Sequence, residues 1–259
     1  MIFYYSATGN SLYVARMIDD QMIGIPQAIK NNQFDFEDET IGIISPIYAG
    51  KLPQTVCRFI EKMKIKTNYF YMLLTYGNED SVAGIWSEKF CKEHGIHVDF
   101  IQTIKMVDNY LPVFDMDEQK NIDKNIPQQI ELAKDNIEKR VHFIPQPTKK
   151  GREAFERVSK RFEEHPELNN GESIVMTDRC VGCGICQQVC PIGNIELANK
   201  KAKRIHKTCD FCLACVHNCP FKAIDVKNEK NPDARYRHPQ ISLKDIVKAN
   251  NQLNKGETR

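Results

Sequence analysis

The stretch Cys180-Val-Gly-Cys183-Gly-Ile-Cys186-Gln-Gln-Val-Cys190-Pro191 recurs 29 residues later as Cys209-Asp-Phe-Cys212-Leu-Ala-Cys215-Val-His-Asn-Cys219-Pro220. Each copy has the spacing C-x2-C-x2-C-x3-C-P. The two copies hold eight of the ten cysteines in this chain of 259 residues. We expect a cytoplasmic protein, because the N-terminus lacks the basic and apolar regions of a secretory signal. Structural disulfides are rare in that compartment, so the crowding predicts metal binding.

The repeated spacing resembles that of bacterial ferredoxins, which hold two [4Fe–4S] clusters. Three cysteines at intervals of three let a tight loop wrap one cluster, and the small residues Gly182, Gly184 and Ala214 let backbone amides approach its sulfides. In this family the fourth cysteine of each copy binds the other cluster. The resemblance therefore implies the ligand sets Cys180, Cys183, Cys186, Cys219 and Cys209, Cys212, Cys215, Cys190.

Two other interpretations of the cysteines are open. Zinc also accepts four thiolates, but zinc sites usually show paired C-x2-C units without a third and fourth cysteine and a proline. Iron–sulfur clusters could also be purely structural. We favour electron transfer, because an iron whose ligands are all cysteine has no open position for a substrate.

Residues 1–145 alternate between short apolar runs and amphipathic stretches. The runs 2–5, 40–45, 69–75 and 98–104 have the character of strands buried on both faces of a parallel sheet. Alternation of strands and helices predicts an α/β fold with a doubly wound sheet, and we expect five strands.

Four helices are predicted between and after these strands from apolar residues at helical spacing. Their inward positions are Val14, Ala15, Ile18 and Met22; then Val56 and Ile60, with Pro53 at the start; then Val82, Trp86 and Phe90; then Ile130, Ala133, Ile137 and Val141, beginning near Pro127.

The first strand leads into a loop rich in hydroxyl and amide side chains, followed by a helix from about Leu12. Backbone amides at a helix N-terminus are unpaired and suit a phosphate. An N-cap alone is the simpler interpretation, but it would need only one of these residues. The loop has no dinucleotide fingerprint and no P-loop lysine. Its residues are Ser6, Ala7, Thr8, Gly9, Asn10 and Ser11.

This loop resembles the FMN phosphate loop of flavodoxins, and the whole of residues 1–228 resembles flavodoxin–ferredoxin fusion proteins. The likeness implies a flavodoxin-like domain that binds FMN at the switch point of the sheet, with two more loops after later strands. The second loop is Pro46, Ile47, Tyr48, Ala49, Gly50 and Lys51, and the third is Thr75, Tyr76, Gly77 and Asn78, continuing to Asp80.

The resemblance implies individual roles within these loops. Tyr48 would stack on the isoalloxazine ring, Gly50 would let the backbone bond flavin N5, and Gly77 would approach the pyrimidine end. Lys51 departs from the acidic and apolar surroundings of many flavodoxins. It would either stabilise an anionic reduced flavin or point to solvent.

The sequence predicts four segments: a flavodoxin-like domain (1–145), a linker with a solvated helix (146–171), a small α+β two-cluster ferredoxin domain (172–228) and a tail (229–259). In the tail, Ser242 and Asp245 predict a capping box ahead of a short helix. Cys57 and Cys91 have the pattern of buried small hydrophobes. His217 is expected to face solvent.

Charge is uneven along the chain. Residues 1–145 hold 15 basic against 20 acidic residues, and the remainder holds 21 against 14. We attribute part of the basic excess to compensation for thiolate-bound iron. No recognition motif accompanies it, so we expect no nucleic-acid partner. No apolar run approaches a membrane span, so we expect no membrane insertion.

The favoured hypothesis is an electron-transfer protein that relays electrons between FMN, two [4Fe–4S] clusters and partner redox proteins; a homodimer is left open. FMN exchanges one or two electrons and each cluster exchanges one. The alternative is an FMN-dependent reductase of a small organic substrate, with Tyr48, Tyr76, Asn109 or Tyr110 lining its pocket. A regulatory or scaffold role is a third hypothesis.

Overall fold

A five-stranded parallel sheet forms the centre of the computed structural model, which describes residues 1–254. Its strand order is β2-β1-β4-β6-β7. Thr40 pairs with Tyr69 at one end of the β4–β6 ladder and Pro46 pairs with Thr75 at the other. The predicted α/β class is therefore confirmed. The strands are β1 (Ile2–Tyr4), β2 (Met22–Gly24), β4 (Thr40–Pro46), β6 (Tyr69–Tyr76) and β7 (Phe100–Lys105).

The fifth strand lies where the sequence predicted helix. The first helix ends at Ile18, and Asp19 is extended. Met22 then pairs with Ile2 at the edge of the sheet. Placing Met22 on the inward face of the helix was wrong, because spacing alone does not show that the polar residues Asp19 to Gln21 interrupt the helix.

Helices cover both faces of the sheet, as a doubly wound fold requires. Two apolar clusters result, one around Ile2 and Leu73 and the other around Phe3 and Leu74. A short parallel pair, β3 (Asp35–Glu37) with β5 (Lys64–Lys66), lies apart from the main sheet. The helices are α1 (Asn10–Ile18), α2 (Ile25–Lys30), α3 (Gln54–Ile60), α4 (Ala83–Glu93), α5 (Met116–Gln119) and α6 (Ile126–Glu138).

The switch point of the sheet lies between β1 and β4. From β1 the chain crosses to β2 on one side, and it later returns to β4 on the other side of β1. The loops after β1 and β4 therefore diverge at the carboxyl edge of the sheet, and ligands of open α/β sheets bind in such a crevice.

The repeat region forms small antiparallel pairs around its own apolar cluster. Two strand pairs and two short helices at equivalent positions of the two copies make up this region. Ahead of it lies the long helix α7 (Lys149–Glu164), in which Gly151 is the buried residue. The remaining elements are β8 (Ile174–Met176), α8 (Ile185–Val189), β9 (Ile195–Ala198), β10 (Lys201–Arg204), α9 (Ala214–His217) and β11 (Ile224–Val226).

The tail ends in helix α10 (Leu243–Asn250), which begins with the predicted capping box of Ser242 and Asp245. Ile246 and Ala249 are fully buried in the same apolar cluster as Ile2 of the first strand. The tail is therefore part of the core of the protein. Within the described range, no helix combines the length and apolar character needed to cross a membrane.

Candidate functional site

The two predicted sets of cysteines surround two separate cavities. Cys180, Cys183, Cys186 and Cys219 line one, which we call cavity I. Cys209, Cys212 and Cys215 of the second copy and Cys190 of the first copy line the other, which we call cavity II. Ligation by these residues stays a prediction, and the structure brings each predicted set together.

The donor chemistry at both cavities suits a thiolate-bound cluster. Four cysteines line each cavity, and apolar side chains such as Leu197 at cavity I and Ile195 at cavity II fill much of the remaining wall. Among the described residues, no three Cys, His, Asp or Glu side chains converge on one ion position. Two cavities, each lined by four cysteines and by apolar side chains, suit thiolate-bound multi-iron groups.

Backbone amides are aimed at the cysteine sulfurs in a repeated pattern. The amide of Asn194 donates to Sγ of Cys190 at 3.2 Å, and 29 residues later the amide of Ala223 donates to Sγ of Cys219 at 3.3 Å. Such hydrogen bonds are one of the means by which a protein sets the reduction potential of a cluster.

Burial disfavours ionisation of the free thiols. It raises the pKa of Cys186 to about 12 and that of Cys190 to about 11. Cluster binding requires thiolates, so assembly must release protons that the protein environment would otherwise retain.

The loop of the second copy is inserted against the first domain. Asp210, which is only 9% exposed, accepts hydrogen bonds from the Tyr5 hydroxyl at 2.9 Å and the Thr55 hydroxyl at 2.5 Å. Tyr5 follows β1 and Thr55 lies in the first turn of α3. Burial, and then the neighbouring Asp210 charge, raise the pKa of Tyr5, so it remains a neutral donor. Cavity II therefore lies at the switch point.

His217 links three parts of the chain and is only 5% exposed, so the prediction that it faces solvent was wrong. Its Nδ1 accepts from the amide of Tyr236 at 3.1 Å, and its Nε2 bonds the carbonyl of Asn109 at 2.9 Å. Burial lowers the pKa of His217 to about 4. A neutral ring with its proton on Nε2 satisfies both contacts.

The predicted phosphate loop is buried beneath the tail. Three of its carbonyls accept hydrogen bonds: Ser6 from Asn250 Nδ2 at 2.9 Å, Ala7 from Asn218 Nδ2 at 3.3 Å and Thr8 from the His238 amide at 2.8 Å. The Tyr236 hydroxyl donates to Oδ1 of Asn10 at 2.7 Å. The loop is thus held from outside by the second copy and the tail.

The amides of this loop still fit a phosphate. Gly9 donates its amide to Oγ of Ser6 at 3.1 Å. Within the described residues, the backbone amides of Asn10 and Ser11, at the start of α1, donate to no protein acceptor. Buried amides at a helix N-terminus without partners are the donors that an anion would satisfy.

The ring end of the predicted FMN site does not fit in this arrangement. A Cβ on Gly50 would lie 2.9 Å from Phe155 of α7, and one on Gly77 would lie 2.3 Å from Asp108. Lys51 is exposed, in keeping with the second of its two predicted roles, and its Nζ lies 5.4 Å from the centre of the Phe155 ring. Phe155 therefore lies against the second loop and Asp108 against the third, and we derive no step through a flavin.

Several contacts that shape the site were missed from sequence. Asn218, Tyr236, His238 and Asn250 join the repeat and tail to the phosphate loop. Asp210 joins the repeat to Tyr5 and Thr55. One signal was available: Asp210 is a carboxylate inside a cysteine loop at the position where the first copy has Val181.

Comparison with known proteins identifies the repeat region. Residues 173–220 match the family model of the 4Fe-4S dicluster domain. A ferredoxin of Pyrobaculum islandicum is 38% identical over 71 residues, which are 27% of this chain and 66% of that protein. Two uncharacterised ferredoxins of Methanocaldococcus jannaschii are 40% and 33% identical, and the matches cover 26% and 22% of this chain and 46% and 78% of those proteins.

The first domain has a weaker likeness. The structure of Trp repressor binding protein from Bacillus subtilis aligns with a TM-score of 0.33 and 14% identity, over 51% of this chain and 94% of that one. At that score the alignment supports no conclusion about fold or function.

Proposed function

Because this chain belongs to the ferredoxin family through its 4Fe-4S dicluster domain, we propose that it is an electron-transfer protein that exchanges electrons with redox partner proteins. The observation that carries the proposal is the grouping of eight cysteines around two cavities inside the matched domain. Clusters bound there supply one-electron redox chemistry.

The residues of the chain supply the surroundings for this chemistry. The amides of Asn194 and Ala223 place partial positive charge at the sulfurs of Cys190 and Cys219, which favours added negative charge on the group that they bind. Apolar walls keep the local dielectric low. All eight donors are cysteines, so no position is reserved for a substrate.

FMN in the first domain is a finer part of the proposal. Its support is the strand order β2-β1-β4-β6-β7 and the pair of unpartnered amides at Asn10 and Ser11. Binding of the ring requires α7 and the segment around Asp108 to move away from Gly50 and Gly77. The relay between FMN and the clusters stays a prediction from sequence.

Quantifying iron, sulfide and flavin in anaerobically purified protein tests both parts. We expect about eight irons and eight sulfides per chain, as two [4Fe–4S] clusters require. One FMN per chain would support the relay, and its photoreduction should then reduce the clusters. Zinc in place of iron would overturn electron transfer. Full iron without flavin after reconstitution would overturn the FMN part alone.

A further inference from the structure

The two copies of the repeat lie in opposite environments. In the second copy Asp210, Phe211 and Leu213 are buried against neighbouring parts of the chain. In the first copy Val181, at the position equivalent to Asp210, is exposed, and so is Cys183. The cysteine loop is therefore buried against the protein in the second copy and exposed in the first.

Large apolar side chains surround the cavity of the exposed loop. Val181, Leu197 and Phe221 all line cavity I and are 56%, 38% and 49% exposed. Clustering of such side chains beside a functional cavity is typical of protein-interaction sites.

Basic residues flank the same cavity. The segment 195–207, which contains the β9–β10 hairpin, has five basic residues and one acidic residue. Lys201 Nζ donates to the carbonyls of Asp178 and Cys180 at 2.8 Å each, so its charge lies beside the cysteine loop. The carbonyl of Lys200 approaches Gly182 in that loop. Neither lysine has an ion-pair partner among the described residues, whereas Lys203 pairs with Glu196.

We propose that Val181, Leu197, Phe221, Lys200 and Lys201 form a docking face for an acidic redox protein, which we call the cavity I face. The apolar residues form its centre, and the lysines guide the approach of an acidic surface. This inference rests on the proposed function. One electron passes between the dicluster domain and the partner, so one is oxidised as the other is reduced, with no bond formed and no proton moved.

The test is electron transfer from the dithionite-reduced holoprotein to an acidic rubredoxin, measured by stopped flow at low and high ionic strength. In the Lys200→Glu/Lys201→Glu variant we expect a second-order rate constant about tenfold lower at low salt. The difference should fall within twofold at about 0.5 M salt, because exposed charges are then screened.

A matched control reverses two exposed lysines on α4 and β5 of the first domain, Lys92→Glu/Lys64→Glu, with the same change in net charge. This variant should stay within twofold of wild type. Equal slowing of both variants, or no dependence on salt, would overturn the docking proposal.

A second variant tests the apolar centre. Val181→Ser/Phe221→Ser should raise the rubredoxin concentration at half-maximal rate several-fold at both salts. With rates expressed per cluster from the measured iron content, the loss should be larger with rubredoxin than with a neutral quinone. Unchanged rubredoxin kinetics would overturn the apolar part of the cavity I face.

Electron transfer to the quinone distinguishes failure of the proposed function from failure of the docking proposal. Full iron content without electron transfer to either acceptor would contradict the proposed function itself. Rapid transfer to quinone and to rubredoxin, with no effect of the lysine or apolar substitutions, would contradict only the docking face.

Discussion

At the residue scale, the fourth cysteine of each copy is the position that joins the two halves of the repeat. Cys190 lies with the second copy at cavity II, and Cys219 lies with the first copy at cavity I. Each accepts the amide four residues later, which holds the sulfur toward its cavity. Exchange of these cysteines between copies makes each cavity depend on both.

This arrangement predicts an unusual result for double variants. Cys183→Ala/Cys219→Ala removes two cysteines from one cavity, so iron should fall from about eight to about four per chain. Cys183→Ala/Cys190→Ala, the matched control, damages both cavities and should leave little iron. Iron analysis of anaerobic protein distinguishes these cases. The opposite ranking of the two variants would show that each copy binds its own cluster.

A second residue-scale prediction concerns His238. Its ring stacks on Tyr13 at 4.1 Å, and burial lowers its pKa to about 4 from an ordinary 6.5. The unfolded chain therefore binds a proton that the folded chain does not, so stability is full above pH 6.5 and falls as pH drops toward 4.

His238→Phe keeps an aromatic ring against Tyr13 and removes this titration. Between pH 6.5 and 4 the variant should lose less stability than wild type, by up to about 1.4 kcal/mol per pH unit. Thermal unfolding midpoints across this range, each compared with the midpoint of the same protein at pH 7.5, measure the effect. Parallel curves for the two proteins would contradict it.

At the element scale, the loop between β1 and α1 meets the tail at a glycine. Gly9 has φ +101°, and a Cβ there would lie 2.9 Å from Cβ of Ile241. Gly95, after α4, also has a positive φ of +77°, but nothing lies within 4 Å of its Cβ position. Comparing substitutions at Gly9 and Gly95 therefore distinguishes backbone strain, which both share, from crowding against the tail, which only Gly9 has.

Both alanine substitutions should destabilise the protein, Gly95→Ala by about 1 kcal/mol through backbone strain alone. Gly9→Ala should cost a further 1–3 kcal/mol, roughly, because the tail must shift. The thermal midpoint reports both, and faster proteolysis of the tail should accompany only Gly9→Ala. If Gly9→Ala and Gly95→Ala lowered the stability equally, the tail would have moved away from Gly9 at no cost.

Elements with a strong local pattern were predictable from sequence, and elements fixed by distant partners were not. The strands around Ile43 and Leu73 are continuous apolar runs. The start of the tail helix is predictable from the capping box of Ser242 and Asp245. His217 lies in a four-residue helix, too short for a periodic pattern to show its buried side.

The candidate site divides in the same way. Spacing identifies the eight cysteines, and the resemblance to bacterial ferredoxins groups them as the structure places them. The hydrogen bond between Tyr5 and Asp210 joins residues 205 positions apart, and no local sequence pattern predicts this contact. The covering of Gly50 by Phe155 has the same origin, so sequence could predict the loops but not what lies over them.

At the scale of the whole molecule, Asp210 joins the dicluster region to the parallel sheet. Asp210→Ala would leave the buried hydroxyls of Tyr5 and Thr55 without their acceptor, at a cost of about 1–3 kcal/mol. The equivalent position in the first copy, Val181, faces solvent and provides the matched control.

We expect the midpoint of Asp210→Ala to fall by about 2–4 °C for each kcal/mol lost. Val181→Ala should leave it nearly unchanged, and iron content should stay full in both. Differential scanning calorimetry of the holoproteins measures the difference. An unchanged midpoint in Asp210→Ala would show that these hydrogen bonds contribute little to stability.

The bond from Asn250 to Ser6 joins residues 244 positions apart, so this loop is made well before the residue that closes over it. At about 5–20 residues per second, that loop waits roughly 12–50 s for its cover. Closure over the loop therefore follows synthesis of the dicluster region, and a small anion that binds the nascent loop before then would be enclosed when Asn250 docks.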